Sequence, residues 1–104
     1  MFQVECKVAE DQFIDLDQIT EVLKSDKSIT NVACVHCETS SGIIHPVEEL
    51  SRIVRLHAPQ AVFFVDGMSS FGAVPVDFSN IDYLVSSVNK CIEGVPGFAY
   101  VIAR

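Results

Sequence analysis

Residues 61–66, AVFFVD, form a short apolar run that ends in a carboxylate. A continuous apolar run of this length is typical of a central strand that is buried on both faces of a parallel sheet. Similar runs occur at residues 29–38 (ITNVACVHCE), residues 81–87 (IDYLVSS) and residues 97–104 (GFAYVIAR). The sequence therefore predicts a sheet of three or four strands, with AVFFVD in a central position.

Two helices are predicted among these strands. In residues 14–25, IDLDQITEVLKS, Asp15 is a candidate N-cap and apolar residues recur at helical spacing. In residues 45–57, HPVEELSRIVRLH, Pro46 suits the first helical turn. This order predicts an α/β protein with a mainly parallel sheet flanked by helices. Because two helices are too few to cover both faces of such a sheet, we expect this chain to be part of a larger domain.

The charge of the chain bears on its partners and its compartment. The formal net charge is −7, which disfavours nucleic acids and anionic membrane surfaces as partners. No apolar run approaches the roughly 20 residues that a membrane-spanning helix needs. The first residues, MFQVECKVAEDQ, carry acidic side chains where a secretion signal has basic and then apolar ones. We therefore expect a cytoplasmic protein.

Four cysteines are present, at positions 6, 34, 37 and 91. Cys34 and Cys37 have the CxxC spacing of metal and redox sites, but residues three apart in a strand point to opposite faces of the sheet. No second CxxC follows, and no helix begins at this one to lower a thiol pKa. We therefore expect reduced, mostly buried cysteines and no metal site.

The three histidines have structural interpretations. We expect His36 to be a hydrogen-bonded strand residue and His45 to fix the start of its helix. His57 stands near the end of the same helix, where a protonated ring is favourable for the helix dipole.

Polar side chains follow each of the first three predicted strands. In open α/β sheets, ligands bind outside the carboxyl ends of the strands, which lie at one edge. The residues that this places together are Glu38, Thr39, Ser40, Ser41, Asp66, Ser86, Ser87, Asn89 and Lys90. Pyridoxal phosphate chemistry needs such a set, because a lysine forms a Schiff base and a carboxylate keeps the pyridine nitrogen protonated.

Each of these residues also has a simpler interpretation. Asp66 could bind magnesium or cap a helix, and Lys90 could be a solvated residue at a strand end. Hydroxyl groups in TSSG, residues 39–42, commonly bond the backbone of a turn. From the residues alone, a metal-dependent phosphohydrolase or a purely structural strand end therefore remains an alternative.

Three segments of the chain resemble the class V, fold type I aminotransferases. They are VHCETSSGIIHPVEEL (residues 35–50), FFVDGMSSFGAVPVDF (residues 63–78) and IDYLVSSVNKCIEGVPGFAYVIAR (residues 81–104). Within this family, these segments are most similar in sequence to the transaminases that use 2-aminoethylphosphonate and pyruvate. They differ from that pattern at Gly67 and Val88, where it has alanine. The alanine–glyoxylate and serine–pyruvate enzymes usually have glutamine where this sequence has Asn89.

The resemblance implies pyridoxal phosphate as the cofactor and a role for each of several residues. Lys90 would be the Schiff-base lysine and would afterwards move a proton on the substrate. Asp66 would pair with the pyridinium nitrogen, and Thr39 would bond the cofactor near its phenolic oxygen.

Other positions in the resembling segments would complete the cofactor site. Met68 would pack on one face of the ring. Asn89 stands where relatives place an amide that contacts the phosphate, and Ser87 is a further candidate for the phosphate.

The resemblance also implies a domain organisation and partners. Residues 1–104 would be the central part of the large cofactor-binding domain, with the upstream phosphate-binding part and the downstream small domain absent. The parent enzyme would be a homodimer that transfers an amino group from 2-aminoethylphosphonate to pyruvate, and the isolated chain would be inactive. The alternatives are an alanine–glyoxylate or serine–pyruvate aminotransferase, a cysteine desulfurase-like lyase, or a non-catalytic truncated paralogue.

Overall fold

A four-stranded sheet forms the centre of the computed structural model, which describes residues 3–104. Its strands lie side by side in the order in which they occur along the chain. They are β1 (Asn31–Val35), β2 (Val62–Asp66), β3 (Tyr83–Ser87) and β4 (Ala99–Ala103). All four apolar runs identified in the sequence therefore form strands, and AVFFVD supplies one of the two central ones.

The first three strands run parallel, and the last runs in the opposite direction. Val35 pairs with Asp66 between β1 and β2, and Asp66 pairs with Val85 between β2 and β3. Strand β4 is antiparallel to β3, with Ser86 opposite Tyr100. The carboxyl ends of β1, β2 and β3 consequently meet at one edge of the sheet, and the predicted mainly parallel α/β fold is confirmed.

Both predicted helices are present. Helix α1 (Leu16–Ser25) is capped by Asp15, whose carboxylate accepts hydrogen bonds of 3.0 Å from the backbone of Asp17 and Gln18. Helix α2 (Val47–His57) begins one residue after Pro46, so the proline occupies the cap position instead of the first turn. Among residues 3–104, no helix has the length and apolar composition needed to cross a membrane.

The hydrophobic core lies on one face of the sheet. Phe63 and Val65 of β2 and Leu84 of β3 point to this face and are fully buried. The helices bury the other core residues against them: Leu23 from α1, and Val47, Leu50 and Val54 from α2. Each such side chain contributes on the order of 1.5–3 kcal/mol through its burial.

The opposite face of the sheet is not covered by any element of residues 3–104. Val35, Tyr83 and Val101 point to this side and are 37%, 37% and 57% exposed. Phe64 and Tyr83 stack on each other here, with ring centroids 5.2 Å apart. The expectation that β1 is a buried strand is therefore wrong, because both helices pack on one face and leave alternate residues of β1 exposed.

An ion pair ties α2 to the sheet. The Arg55 guanidinium donates to the Asp82 carboxylate, which also accepts a 2.7 Å bond from the backbone of Phe63. Arg104, directly after β4, reaches the other oxygen of Asp82 at 3.2 Å. Burial alone would raise the pKa of Asp82, but these donors and positive charges outweigh it and hold the pKa below its ordinary value of 3.8.

Candidate functional site

Three loops meet at the carboxyl edge of the parallel strands. We call them the β1 loop (residues 36–46), the β2 loop (residues 67–77) and the β3 loop (residues 88–98). All the predicted site residues lie at this edge: Thr39, Asp66, Met68, Ser87, Asn89 and Lys90. The topology thus brings together the hydroxyl, carboxylate and amine that the sequence predicted to converge.

Asp66 ends β2 and is exposed at this edge. Its Oδ1 accepts a 2.8 Å hydrogen bond from the backbone N–H of Met68, which shapes the turn that follows. Its backbone carbonyl accepts a 2.8 Å bond from His36 at the end of β1. Within residues 3–104, no hydrogen bond is made to Oδ2, so that oxygen can receive a proton donor of a ligand.

The β2 loop is attached to the β1 loop by side chains that the sequence interpretation did not select. Ser70 is fully buried, and its Oγ lies 2.9 Å from His36 Nδ1. Ser69 donates a 2.8 Å bond to the carbonyl of Cys37. The prediction that His36 is hydrogen-bonded is confirmed, but the residue lies directly after β1 and not in the strand. Its partner is 34 residues away in the sequence, and nothing in the local pattern indicates it.

The same loop is attached to the lysine-bearing side of the site. The buried Ser86 of β3 donates a 3.1 Å bond to the carbonyl of Gly67. Cys91, directly after Lys90, has its Sγ 3.3 Å from the carbonyl of Ser69. The turn after Asp66 is therefore held on both sides by the neighbouring loops.

Lys90 is exposed in the β3 loop. The loop is closed by backbone bonds from Glu93 to Lys90 at 2.9 Å and from Gly94 to Val88 at 2.6 Å. A Cβ on Gly94 would lie 2.9 Å from the Val88 carbonyl oxygen, so only glycine fits there without a backbone shift. The backbone of Lys90 is thus set by a compact, internally bonded loop.

Ser87 ends β3 and carries a polar atom without a partner. Its Oγ is buried and has no hydrogen bond in the described part of the chain. Buried hydroxyl groups are nearly always hydrogen-bonded, so an orphaned one at a ligand edge is a candidate contact for a bound phosphate or hydroxyl. Thr39, in contrast, is exposed in a turn whose Glu38 carboxylate bonds Ser40 Oγ at 3.3 Å.

The cysteines partly depart from expectation. All four are free thiols, but Cys91 is exposed and the others are half-buried, so the prediction of mostly buried cysteines is wrong. Cys91 is exposed because it lies on the β3 loop and not in a strand. Burial raises the pKa of Cys34 to about 12, which makes this thiol unreactive. Across residues 3–104, no group of three or more His, Cys, Asp or Glu side chains is placed to hold a metal ion.

His45 contacts the start of α2, as expected, and also a second element that the sequence did not indicate. Its Nδ1 accepts a 3.4 Å bond from the backbone of Ile14, which precedes α1. The ring therefore fastens the segment before α1 to the segment that leads into α2. The backbone carbonyl of His45 accepts a 2.8 Å bond from Val47, the first residue of α2.

The fold and the arrangement at this edge agree with a comparison to known protein families. The model of the family described as aminotransferase class-V matches residues 3–104. The chain belongs to this family, and the family and fold class predicted from the sequence are confirmed.

Individual members of this family with named activities are similar to the chain. The chain is 52% identical over 92 residues to the 2-aminoethylphosphonate–pyruvate transaminase of Syntrophobacter fumaroxidans, covering 86% of this chain and 24% of that protein. It is 46% identical to the enzyme of the same name from Bacteroides fragilis, over 91% of this chain and 26% of that protein. It superposes on the crystal structure of pyridoxamine–pyruvate aminotransferase from Mesorhizobium loti with a TM-score of 0.84 and 30% identity, covering 93% of this chain and 25% of the other. The chain thus spans about a quarter of the length of these relatives.

Proposed function

We propose that this chain is the cofactor-lysine segment of a pyridoxal phosphate-dependent aminotransferase. The reaction transfers the amino group of 2-aminoethylphosphonate to pyruvate and gives phosphonoacetaldehyde and alanine. The observation that carries the proposal is the meeting of Asp66, Thr39 and Lys90 at the carboxyl edge of three parallel strands. The names of the relatives, 52% and 46% identical over most of the chain, support this choice of substrates.

The residues at the edge fit the cofactor. Asp66 offers Oδ2, which has no partner among the described residues, to a protonated ring nitrogen. The orphaned Ser87 Oγ can donate to a phosphate oxygen, and Lys90 is accessible for a covalent bond. When bound, pyridoxal phosphate supplies an electron-withdrawing ring that accepts the electrons of the broken substrate bond.

Lys90 has two roles in this proposal. Its Nζ holds the cofactor covalently before the substrate arrives. Once released, the amine would take a proton from the donor carbon that bears the amino group and would later give one to the corresponding carbon of alanine. An exposed side chain on a fixed loop suits both roles, because the amine must move while its backbone does not.

The remaining residues bind and orient the cofactor. Asp66 keeps the ring nitrogen protonated through its carboxylate, and Thr39 hydrogen-bonds the cofactor near its phenolic oxygen. Met68 packs on one face of the ring, and Asn89 and Ser87 contact the phosphate. The hydrogen bond from the Met68 backbone to Asp66 supports this division, since it holds the Asp66 carboxylate against the turn that carries Met68.

The proposal extends to partners and compartment. The ligands are a small amino donor and a 2-oxo acid, and the working unit is a homodimer in the cytoplasm. Residues 1–104 are the central part of a large cofactor-binding domain. The coverage of about a quarter of each relative supports this domain assignment.

The decisive experiment adds pyridoxal phosphate to the intact protein and records its visible absorbance. We expect the band of a covalently bound cofactor, and borohydride reduction followed by peptide mapping should place the label on Lys90. Lys90→Ala should abolish both band and label. The matched control is Lys24→Ala, which removes an exposed lysine on α1 that pairs with Glu21, and it should leave both unchanged.

A substrate screen completes the test. With pyruvate as acceptor, 2-aminoethylphosphonate should be consumed faster than serine or cysteine. An intact protein without the band would contradict the cofactor assignment and favour a non-catalytic paralogue. A protein that binds the cofactor but uses serine or alanine with glyoxylate would contradict the substrate assignment alone.

A further inference from the structure

A buried histidine–serine pair lies directly behind the proposed site. Ser70 is 0% exposed and His36 is 4% exposed, and Ser70 Oγ lies 2.9 Å from His36 Nδ1. Neither residue reaches the open edge of the sheet, so the pair has no place among the ligand-binding residues named above. Its position suggests a role that acts through its neighbours.

The pair joins two segments that each carry site residues. His36 is the first residue after β1, three positions before Thr39, and its backbone N–H donates to the Asp66 carbonyl at 2.8 Å. Ser70 closes the turn that begins at Asp66, because its backbone N–H donates to the Gly67 carbonyl at 3.2 Å. The side-chain bond between them therefore clamps the turn to the end of β1.

Ser70 also fixes the chain that follows it. Its carbonyl accepts backbone bonds from Ala73 at 3.0 Å and Val74 at 2.9 Å. The Asp66–Val74 segment is thus a series of hydrogen-bonded turns, and Ser70 is the point at which its side-chain and backbone bonds meet. A change at Ser70 is expected to move the turn, and with it the Asp66 carboxylate and the Met68 side chain.

The hydrogen bond between Ser70 and His36 is suited to a neutral imidazole. Burial lowers the pKa of His36 below its ordinary value of 6.5, the Glu48 carboxylate opposes this, and the nearby His45 adds to it. A neutral ring has one acceptor nitrogen, and a buried serine hydroxyl is a matching donor for it. Replacing either partner leaves the other buried and unpaired, which is the costly outcome for a polar group.

We propose that His36 and Ser70 are positioning residues that hold the Asp66–Ser70 turn, and through it Asp66 and Met68, in register with the cofactor ring. The inference rests on the proposed function, since it concerns the same pyridoxal phosphate site. It assigns to the pair an effect on the bound cofactor in addition to an effect on folding.

The test measures pyridoxal phosphate binding to the intact protein in a series of variants. Ser70→Ala and His36→Leu should each weaken binding about tenfold, which corresponds to about 1.4 kcal/mol. The double variant should be no weaker than the worse single one, because both changes break the same hydrogen bond. His36→Asn, whose amide can stand near the position of Nδ1, should recover most of the affinity.

Two readouts separate positioning from a general loss of stability. The pH at which the bound cofactor changes its visible absorbance reports protonation of the nitrogen that joins it to Lys90. This depends on the charge that Asp66 maintains at the ring nitrogen, so it should shift in Ser70→Ala. The control is Ser51→Ala on α2, a serine 2% exposed whose Oγ donates a 2.7 Å bond to the Glu48 carbonyl. This control should lower the unfolding temperature like Ser70→Ala but leave the absorbance titration and the affinity unchanged.

The outcomes distinguish the two proposals. A wild-type protein that takes up no pyridoxal phosphate contradicts the proposed function and this inference together. Normal uptake with an affinity and titration that Ser70→Ala and His36→Leu leave unchanged overturns the positioning role alone. Additive losses in the double variant would likewise overturn it, because they would show that the two side chains act independently.

Discussion

Asp66 makes two kinds of contact with its two carboxylate oxygens. Oδ1 is engaged by the Met68 N–H at 2.8 Å, whereas Oδ2 has no hydrogen bond within the described residues. One side chain therefore both shapes the turn and presents a negative charge to the edge of the sheet. The two roles can be separated, because an amide at this position can still accept the Met68 bond but cannot carry the charge.

Under the proposed function, Asp66→Asn should lower kcat of the intact protein by about a hundredfold or more, since the cofactor's ring nitrogen would lose the carboxylate proposed to keep it protonated. The cofactor should still attach, because Lys90 is intact, and the turn should keep its shape. Steady-state kinetics and the visible spectrum of the same preparation check both parts.

Asp77→Asn is the matched control for this prediction. Asp77 also accepts a bond from the backbone N–H two residues later, Ser79, at 2.9 Å, but it lies at the far end of the β2 loop. It should have wild-type kcat. A kcat of Asp66→Asn within a few-fold of the wild type would contradict the role given to Asp66.

At the scale of single residues, the sequence predicts the positions of the proposed site residues better than the contacts that hold their loops in place. Lys90, Asp66 and Thr39 are identifiable because each follows an apolar run, and parallel strands bring such positions to one edge. Ser70 carries no comparable signal, since its hydroxyl meets a histidine 34 residues earlier in the chain. Partners of this kind depend on how two loops pack, which spacing along the chain does not encode.

The Arg55–Asp82 pair is the main polar junction between elements. Arg55 on α2 also donates 2.9 Å bonds to the carbonyls of Ala61 and Asn80, at the starts of the segments that lead into β2 and β3. Asp82 in turn accepts from the Phe63 backbone in β2 and from Arg104. The pair therefore sets how α2 lies relative to the sheet.

Asp82→Asn should lower the free energy of unfolding by about 1–2 kcal/mol at neutral pH, because it removes the charge that faces two guanidinium groups. The native pKa of Asp82 is lowered, so the carboxylate stabilises the fold above its ordinary pKa of 3.8, and this is lost as pH falls through the native pKa. The difference between wild type and variant should therefore be constant above about pH 5 and shrink as the pH falls below 3.8. Urea unfolding across this range measures it.

Glu21→Gln provides the comparison. Glu21 pairs with Lys24 at 2.9 Å, but both side chains are largely exposed and solvent screens the interaction. Its unfolding curve should coincide with that of the wild type. A difference for Asp82→Asn that stays constant with pH would contradict the electrostatic explanation and point to packing.

The existence of the elements follows from the sequence, but their arrangement follows only in part. Helices α1 and α2 are evident because their apolar residues recur at helical spacing and Asp15 is a typical cap. The antiparallel direction of β4 is not evident, because an apolar run has the same appearance in either direction. The exposure of β1 has a similar cause, since periodicity does not tell on which face a helix packs.

At the scale of the whole molecule, one face of the sheet is packed and the other is open. The open face carries Val35, Tyr83 and Val101, and the stacked pair of Phe64 and Tyr83. Contiguous exposed apolar surface of this kind promotes association in water.

Residues 1–104 expressed alone should therefore self-associate in a concentration-dependent manner. The double change Val35→Lys with Val101→Lys should reduce this association, because it places two like charges on the open face. Sedimentation velocity over a range of concentrations measures it.

Leu56→Lys is the control, since Leu56 on α2 is 73% exposed and lies on the opposite side of the sheet. It should associate like the unmodified chain. Equal association of all three chains would show that the open face is not the surface involved.

The β3 loop gives Lys90 a fixed point of attachment. Strands β3 and β4 hold its two ends, with Val88 donating to Phe98 at 3.3 Å, and the bond from Gly94 to Val88 closes it internally. The amine can consequently occupy only the volume that one lysine side chain can reach from this fixed backbone position. Confinement of a nucleophile to so small a volume corresponds to a very high effective molarity toward any electrophile held at that edge. The β3 loop thus raises the probability of reaction, because it confines the position of the amine while the lysine side chain keeps its rotational freedom.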